Sequence, residues 1–537
     1  MRVADFFCGA GGFSEGFRQA GFEIVFAVDK WEPAVTTYKG NKPGVNVIQD
    51  DVLRISNLPD DEFEALVPDT EVIIGSPPCQ SFSNSNKSGN GDKSLGISLI
   101  EAYLRIIARK MNKKNSILKY WVLENVPNSK KYIKDIYTAE DLDLQGDFIL
   151  NTRGPNAGIY NAKNFGAPTN RKRFLCGNFP PLEKTHEDKD AKKLKDVLNS
   201  LGDPLEKGEI EIIDFNYPDL VMKKSEISDS QYIRELAPFE WKTAKRLKQD
   251  KGYMGVMSFP ENLDNPARTV MATMSSCSRE AMVFDYKDGR YRLPTVRETA
   301  SMMSFPLDYK FYGQTVGIKH TLVGNAVPPK LSYAIAIAIA YAEHEKIPDY
   351  YPQIQYDESI EFTNLNGTTF EIKKEKTRRS VAKFKYHIPY LIIDTFRVEL
   401  TNYYSDFSDN CFKWSTEIHY SQGKKRAKIF TPSIKLSDLP SEYHKVINQF
   451  VEEIYHLIPD MNTFQKVYCM TSDDRNKTQW IGPYELLDKI QAFIETNISI
   501  DKQKNDIFIN DEPYKIPLAI AVGYYILKSI VDHMGGF

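Results

Sequence analysis

Five short apolar runs near the start of the chain, each stopping at a turn or an acidic residue, constrain the fold more than any other feature. Arg2–Phe7 runs into a glycine-rich turn, Glu23–Val28 ends at Asp29, and Val45–Ile48 ends at Asp50-Asp51. Glu71–Ile74 ends at Gly75-Ser76-Pro77-Pro78-Cys79, and Tyr120–Leu123 ends at Glu124-Asn125. Ser14–Ala20 and Leu99–Met111 carry the apolar spacing of helices between them. Strands alternating with helices predict an α/β fold over residues 1–178, a doubly wound and mostly parallel sheet. Such sheets bind ligands at the carboxyl ends of their strands. Asp29, Asp51, Cys79 and Glu124, singled out below, sit at those predicted ends.

The rhythm then breaks. Residues 179–290 are richer in Lys, Asp and Pro and do not alternate. Residues 291–345 read as a helix, a loop and a long helix. From 346 to 537 the chain changes to Tyr-rich strand-like runs followed by helices, an additional α+β C-terminal domain. There, Phe412–His419 and Ala427–Leu436 read as a hairpin about the basic turn 421–426, and Val446–Leu457, Tyr484–Glu495 and Leu518–Asp532 read as helices. Lys373–Lys385 and Lys424–Lys428 are locally basic, which suits either a solvated surface or a DNA- or partner-binding face. Glu371-Ile372-Lys373 downstream of Asp357 has the residue types of a nuclease core, but one such tripeptide is common by chance.

Composition limits the partners. The 537 residues carry a formal charge of −3, so a nucleic acid would have to meet a local basic face. Cys8, Cys79, Cys176, Cys277, Cys411 and Cys469 are scattered, with no CxxC pair, which argues against a disulfide scaffold and against a zinc site. No metal is expected, and reduced thiols fit a cytoplasmic setting. The start, MRVADFFCGAGG, reaches an acid by Asp5 and does not read as a signal peptide. Tyr333–Ala342 is too short to span a bilayer, which takes about 20 residues, and reads as a buried helix.

Several motifs carry chemistry. Phe7-Cys8-Gly9-Ala10-Gly11-Gly12 follows the first strand, where glycines let backbone approach a ligand. It is neither GxGxxG nor a Walker loop, which makes a dinucleotide or nucleoside triphosphate a poor fit. Asp29 suits the hydroxyls of a ribose, and Asp51 an adenine amino group. Pro77-Pro78-Cys79-Gln80 is the sharpest signal: two prolines stiffen the mount of a thiol, and the thiolate is a nucleophile. A lone cysteine is otherwise a small core residue. Here a polar, glycine-rich stretch, 81–96, follows it as a lid would. Glu124 ends an apolar strand, where burial raises a carboxyl pKa. Arg171-Lys172-Arg173 sets two guanidiniums two residues apart, on one face of a strand, suited to a phosphate or a carbonyl oxygen.

In this order the segments resemble the cytosine-5 DNA methyltransferase family of prokaryotic restriction–modification type. The family's FxGxG stands at Phe7–Gly11, its PCQ at Pro78-Cys79-Gln80 with Ser83 in its usual place, and its ENV at 124–126. The arginine motif stands at 171–173, Arg297-Glu298 is followed by Phe305-Pro306, and GNAVPP closes the series at 324–329. Three positions depart from the family: Thr169 replaces a Gln, Asp92 is followed by Lys93-Ser94 rather than by x-Arg, and Asp29 replaces the usual Glu, with Trp31 one place late.

The resemblance implies a Rossmann-like catalytic domain over 1–178 and 291–345, a target-recognition domain inserted at 179–290, and an accessory domain at 346–537. It implies S-adenosyl-L-methionine as cofactor, held by Phe7, Gly9, Ala10, Gly11, Gly12, Asp29, Asp51, Pro78 and Asn325. Cys79 would be the nucleophile toward a flipped-out cytosine, Glu124 would hold its N3 edge and Arg173 its O2 edge, with Arg171 orienting the site and a phosphate. Asp264–Val270 is similar to a segment that family recognition domains carry. Double-stranded DNA is the implied partner, with a cognate restriction endonuclease or other defence protein beside it, in the cytoplasm at the nucleoid and away from any membrane. A tRNA-methylating branch of the same superfamily shares Ser-Pro-Pro-Cys, seen here at 76–79, and is the alternative; a Cys-Phe-Thr signature of that branch is absent.

Overall fold

The structure is a computed structural model that describes residues 1–79, 82, 93–206, 208–250, 255–368, 370–421, 428–508 and 515–535. The chain forms two compact units. The first comprises residues 1–235, 260–275 and 280–371, and the second residues 236–259, 276–279 and 372–537.

In the first unit, β1 (Arg2–Phe6), α1 (Gly12–Gln19), β2 (Glu23–Asp29), α2 (Glu32–Asn41), β3 (Asn46–Gln49), α3 (Val52–Ser56), α4 (Asp60–Leu66), β4 (Val72–Gly75), α5 (Ser94–Asn112) and β5 (Tyr120–Asn125) follow the expected alternation. With β6 (Gly158–Asn161) and β7 (Lys172–Asn178) they make a seven-stranded sheet in the order β3-β2-β1-β4-β5-β7-β6. The first five strands pair in parallel, and β7 runs antiparallel to both of its neighbours. The beginning of β7 therefore lies at the edge where the parallel strands end.

The central strands are buried on both faces, and alternate residues feed different cores. Phe6, Phe26, Ile73 and Leu123 pack with Ile100, Tyr103 and Ile107 of α5. Val3, Ala27, Val72 and Val122 pack with Phe13 and Phe17 of α1 and with Ile335 and Ile339 of the helix Pro329–Ala342. That helix contains the apolar run 333–342. By length and composition Val316–Ala342 could cross a membrane, but 67% of its most apolar window is buried in the protein.

Two glycines allow α1 and this last helix to touch. A Cβ on Gly12 would stand 2.3 Å from the Val327 carbonyl oxygen, and one on Gly16 2.2 Å from Ser332 Oγ and 2.3 Å from the Tyr333 nitrogen. The segment 346–371 also belongs to the first unit. Tyr351 Oη donates to Asp308 at 2.8 Å and the Ile354 amide donates to the other oxygen at 2.9 Å.

The second unit has a four-stranded antiparallel sheet, Lys385–His387, Phe396–Thr401, Ser415–Tyr420 and Lys428–Phe430, in sequence order. Helix Leu518–Met534 packs on it and is buried along most of its length around Ile520, Ile526 and Ile530, with helices Ser441–Tyr455 and Pro483–Asn497 packed against that helix. The expected hairpin is present between Ser415–Tyr420 and Lys428–Phe430, with its turn, 422–427, outside the described residues.

The compact units divide the chain differently from the sequence reading. Residues 179–290 are shared between both, because the helix Pro238–Gln249 and its C-terminal Asp250 join the second core. Asp250 accepts from Tyr386 Oη at 2.6 Å and lies 2.9 Å from His387 Nε2, and Arg246 pairs with Asp488 at 2.6 Å. The second unit starts at 372 rather than 346 for the converse reason, since Asp308 holds the intervening strap. Glu371-Ile372-Lys373 lies in no strand or helix, so the nuclease reading of that tripeptide gains nothing from its surroundings.

Candidate active site

The carboxyl edge of the sheet collects the sequence-predicted site. Cys79 is half-buried on the turn after β4. Asn125, at the end of β5, donates from Nδ2 to the Pro77 carbonyl at 3.0 Å and ties that turn to the next strand. Asn125 was read only as a letter of a motif; its role follows from standing one residue beyond Glu124 on a buried strand.

Glu124 and Arg173 meet across β5 and β7. Leu175 faces Glu124 in the register, so Arg173, two residues earlier on an antiparallel strand, projects beyond the end of β5. Its Nε stands 2.7 Å from Glu124 Oε1. Burial raises the Glu124 carboxyl above the usual range, while Arg173 and Arg171 pull it back. Burial also raises the Cys79 thiol. Arg173 and Arg171 lower it and Glu124 raises it, so the four side chains sense one another electrostatically.

Arg171 differs from Arg173. It lies just before β7, and its guanidinium donates to the carbonyls of Val270 at 2.9 Å, Gly324 at 2.9 Å and Ala326 at 3.1 Å. Burial lowers its pKa to about 9. It braces the GNAVPP loop through those bonds. Asp264–Val270 is drawn into the same brace: Ala267 and Arg268 pair in parallel with Thr169 and Asn170.

The other end of the edge is backbone-lined. Phe7 adopts φ 55° and Gly9 φ 52°, and a Cβ on Gly9 would meet nothing within 4 Å. Positive φ at a phenylalanine stores strain of the kind found at ligand clamps. Asp29 lies beneath, accepting from the Gly9 amide at 2.9 Å and the Trp31 amide at 2.8 Å, and burial raises its carboxyl pKa. Asp51 caps α3 through the Leu53 amide at 3.0 Å and pairs with Lys30 at 2.8 Å. Pro78 and Asn325 are exposed, whereas Ala10, Gly11 and Gly12 are buried behind the loop. There Tyr309 Oη donates to the Ala10 carbonyl, and Lys42 Nζ donates to Tyr309 Oη at 3.0 Å and pairs with Glu15 at 3.4 Å. No motif announces this support, because it joins side chains far apart in the chain. Open backbone over Gly9, with a carboxylate under it, fits a ligand that carries a nucleoside.

The putting-together of a thiol, a buried carboxyl and two arginines beside a glycine-lined edge matches a known class of enzyme. Residues 1–340 match the model of the C-5 cytosine-specific DNA methylases, and the chain belongs to that family. It is an S-adenosylmethionine-dependent DNA cytosine-5 methyltransferase. It is 28% identical over 342 residues to the type II methyltransferase M.MthTI of Methanothermobacter thermautotrophicus, covering 63% of this chain and 96% of that one. It is 30% identical over 359 residues to the type II methyltransferase M1.HphI of Haemophilus parahaemolyticus, covering 63% and 86%. Among solved structures, an Entamoeba histolytica methyltransferase, EhMeth, aligns with 64% of this chain and 98% of its own at 15% identity and a TM-score of 0.42.

Proposed function

We propose that Cys79 attacks carbon 6 of a cytosine flipped out of duplex DNA, and that the chain is the sequence-specific methylase of a restriction–modification or related defence system. The observation that carries this reading is the ion pair of Glu124 and Arg173, buried beside Cys79 at the carboxyl edge. Cytosine carbon 5 is a weak nucleophile. A thiolate added at carbon 6 turns the ring into an enamine and makes carbon 5 nucleophilic, which divides one hard step into two. Glu124 holds the N3 edge of the base and stabilises the charge that the added thiolate brings. Arg173 holds the O2 edge, and Arg171 keeps the loop 324–329 against the site. When the carbon 5 proton leaves to a base, the Cys79 sulfur is expelled and the ring regains its aromaticity.

S-adenosylmethionine supplies an electrophilic methyl group when bound. Phe7, Gly9, Asp29, Asp51, Pro78 and Asn325 line its place, and Ala10, Gly11 and Gly12 shape the loop from behind. The target atom is unreachable within a duplex, so the base leaves the stack at a cost of a few kcal/mol. The loop 81–96 closes over it in this reading; most of that loop lies outside the described residues. Residues 179–290 read the flanking base pairs. In this reading the enzyme works in the cytoplasm at the nucleoid, beside a companion nuclease, which the likeness to type II methyltransferases supports.

The test is transfer of labelled methyl from S-adenosylmethionine to duplex DNA and to tRNA, wild type beside Cys79→Ala, with bisulfite sequencing of the DNA. Label on duplex cytosine that the variant abolishes supports the reading and reveals the target sequence. Label on tRNA alone overturns it.

A further inference from the structure

The second unit holds a cluster that methyl transfer does not use. Glu399 on the strand Phe396–Thr401 stands directly opposite Glu417 on Ser415–Tyr420, and His419 lies two residues further along the same face. All three are buried, at 5%, 2% and 3% exposure. One ligand atom from each lies within 4.8 Å of the others. His419 Nε2 is 2.8 Å from Glu417 Oε2 and 3.1 Å from Glu399 Oε2.

The outer oxygens are already fixed. Arg397 Nε donates to Glu399 Oε1, and Tyr404 Oη donates to Glu417 Oε1. These partners turn both Oε2 atoms toward His419, the arrangement by which outer residues orient metal-binding carboxylates. Glu399 Oε2 is buried and accepts no hydrogen bond of good geometry. Lys385 Nζ lies 3.3 Å from Glu399 Oε2 and 3.4 Å from Glu417 Oε2, but its side chain is 33% exposed. An ammonium that can reach water so readily is a displaceable counter-ion.

We propose that Glu399, Glu417 and His419 form a divalent-cation site in the C-terminal unit, with Lys385 occupying its charge-balancing role when the cation is away. Two carboxylate oxygens and one imidazole nitrogen suit Mn2+ or Zn2+ better than Mg2+ or Ca2+, which prefer oxygen alone. The site ties the two central strands of the sheet together. It requires no change in the assignment of Cys79, since its residues lie beyond the stretch that matches the methylase family.

The experiment uses the full chain, stripped with chelator and titrated with Mn2+. Mn2+ is the probe because the exposed thiols of Cys277 and Cys411 take up Zn2+ adventitiously. Calorimetry is expected to give one equivalent, with the electron-spin-echo signature of a single imidazole nitrogen. His419→Asn is expected to remove that signature and weaken binding at least about tenfold. Lys385→Gln, at the rim of the sheet, is expected to bind Mn2+ more tightly than wild type because the competing ammonium is gone. Failure of wild type to bind Mn2+, an echo signal without nitrogen, or weaker binding by Lys385→Gln overturns the proposal. Near-ultraviolet circular dichroism of each variant keeps loss of fold apart from loss of ligand, and the Lys385 variant tests the site without disturbing its core.

Discussion

Glu124 and Arg173 form a 2.7 Å ion pair whose side chains are 8% and 9% exposed. The two strands that carry them run in opposite directions, yet both deliver their charge to one edge. Each partner keeps the other from being an unpaired buried charge.

Removing one partner is therefore expected to destabilise the enzyme by about 3–5 kcal/mol, and removing both by less. Urea unfolding of Arg173→Met, Glu124→Gln and the double variant checks this. A double variant less stable than Arg173→Met shows that the pair is not the source of the effect.

Cys79 titrates above the ordinary thiol range because it is buried, with Arg173 and Arg171 opposing that rise and Glu124 adding to it. Alkylation of Cys79 by iodoacetamide is expected to be slow at neutral pH and to accelerate as pH rises. In Glu124→Gln one raising influence is gone, so the profile moves to lower pH. Mass spectrometry of the modified peptide reads both curves.

Asp5 gives a pH dependence of stability. Burial raises its carboxyl from 3.8 to about 7, against weaker opposition from Ser14, Lys42 and Tyr38, and Oδ1 has no hydrogen-bond partner. The folded state thus holds the proton more tightly than the unfolded one. The group's contribution is complete below 3.8 and is lost as pH rises through about 7. Asp5→Asn removes this loss, so its stability gain over wild type opens above 3.8, is complete above about 7, and reaches about 2–4 kcal/mol. Denaturant melts across that range are the measurement, and a gain that shrinks with rising pH contradicts it.

Gly16 leaves no room for a side chain against Ser332, Tyr333 and Pro329. Gly16→Ala is expected to push the last helix off α1, to cost about 1–3 kcal/mol and to weaken S-adenosylmethionine binding, because the loop 324–329 moves with that helix. Cofactor titration by calorimetry distinguishes this from a change confined to DNA binding.

The five parallel strands were legible because each is a short apolar run that ends in a polar turn, and the central ones are buried. Cys79, Glu124 and Arg173 were legible from ordered motifs at those ends. The bracing by Arg171 was hidden because its three carbonyl partners come from segments that only the folded chain brings together. The division of residues 179–290 was hidden for a similar reason: Asp250, Tyr386 and His387 carry no pattern in sequence, and their bonds decide which core the helix Pro238–Gln249 joins. Glu399 and His419 escaped notice because strand pairing, not spacing, makes them neighbours.

The contact of α1 with the last helix also has a bearing on how the enzyme is made. Ser332 Oγ donates to the Gly12 carbonyl across 320 residues of chain. A ribosome takes on the order of tens of seconds to cover that distance. For most of that interval the nascent chain already carries Cys79, but not the helix that packs on its glycine-rich loop. A prematurely terminated product thus lacks that helix, and the first unit is complete only once the chain has been translated past it.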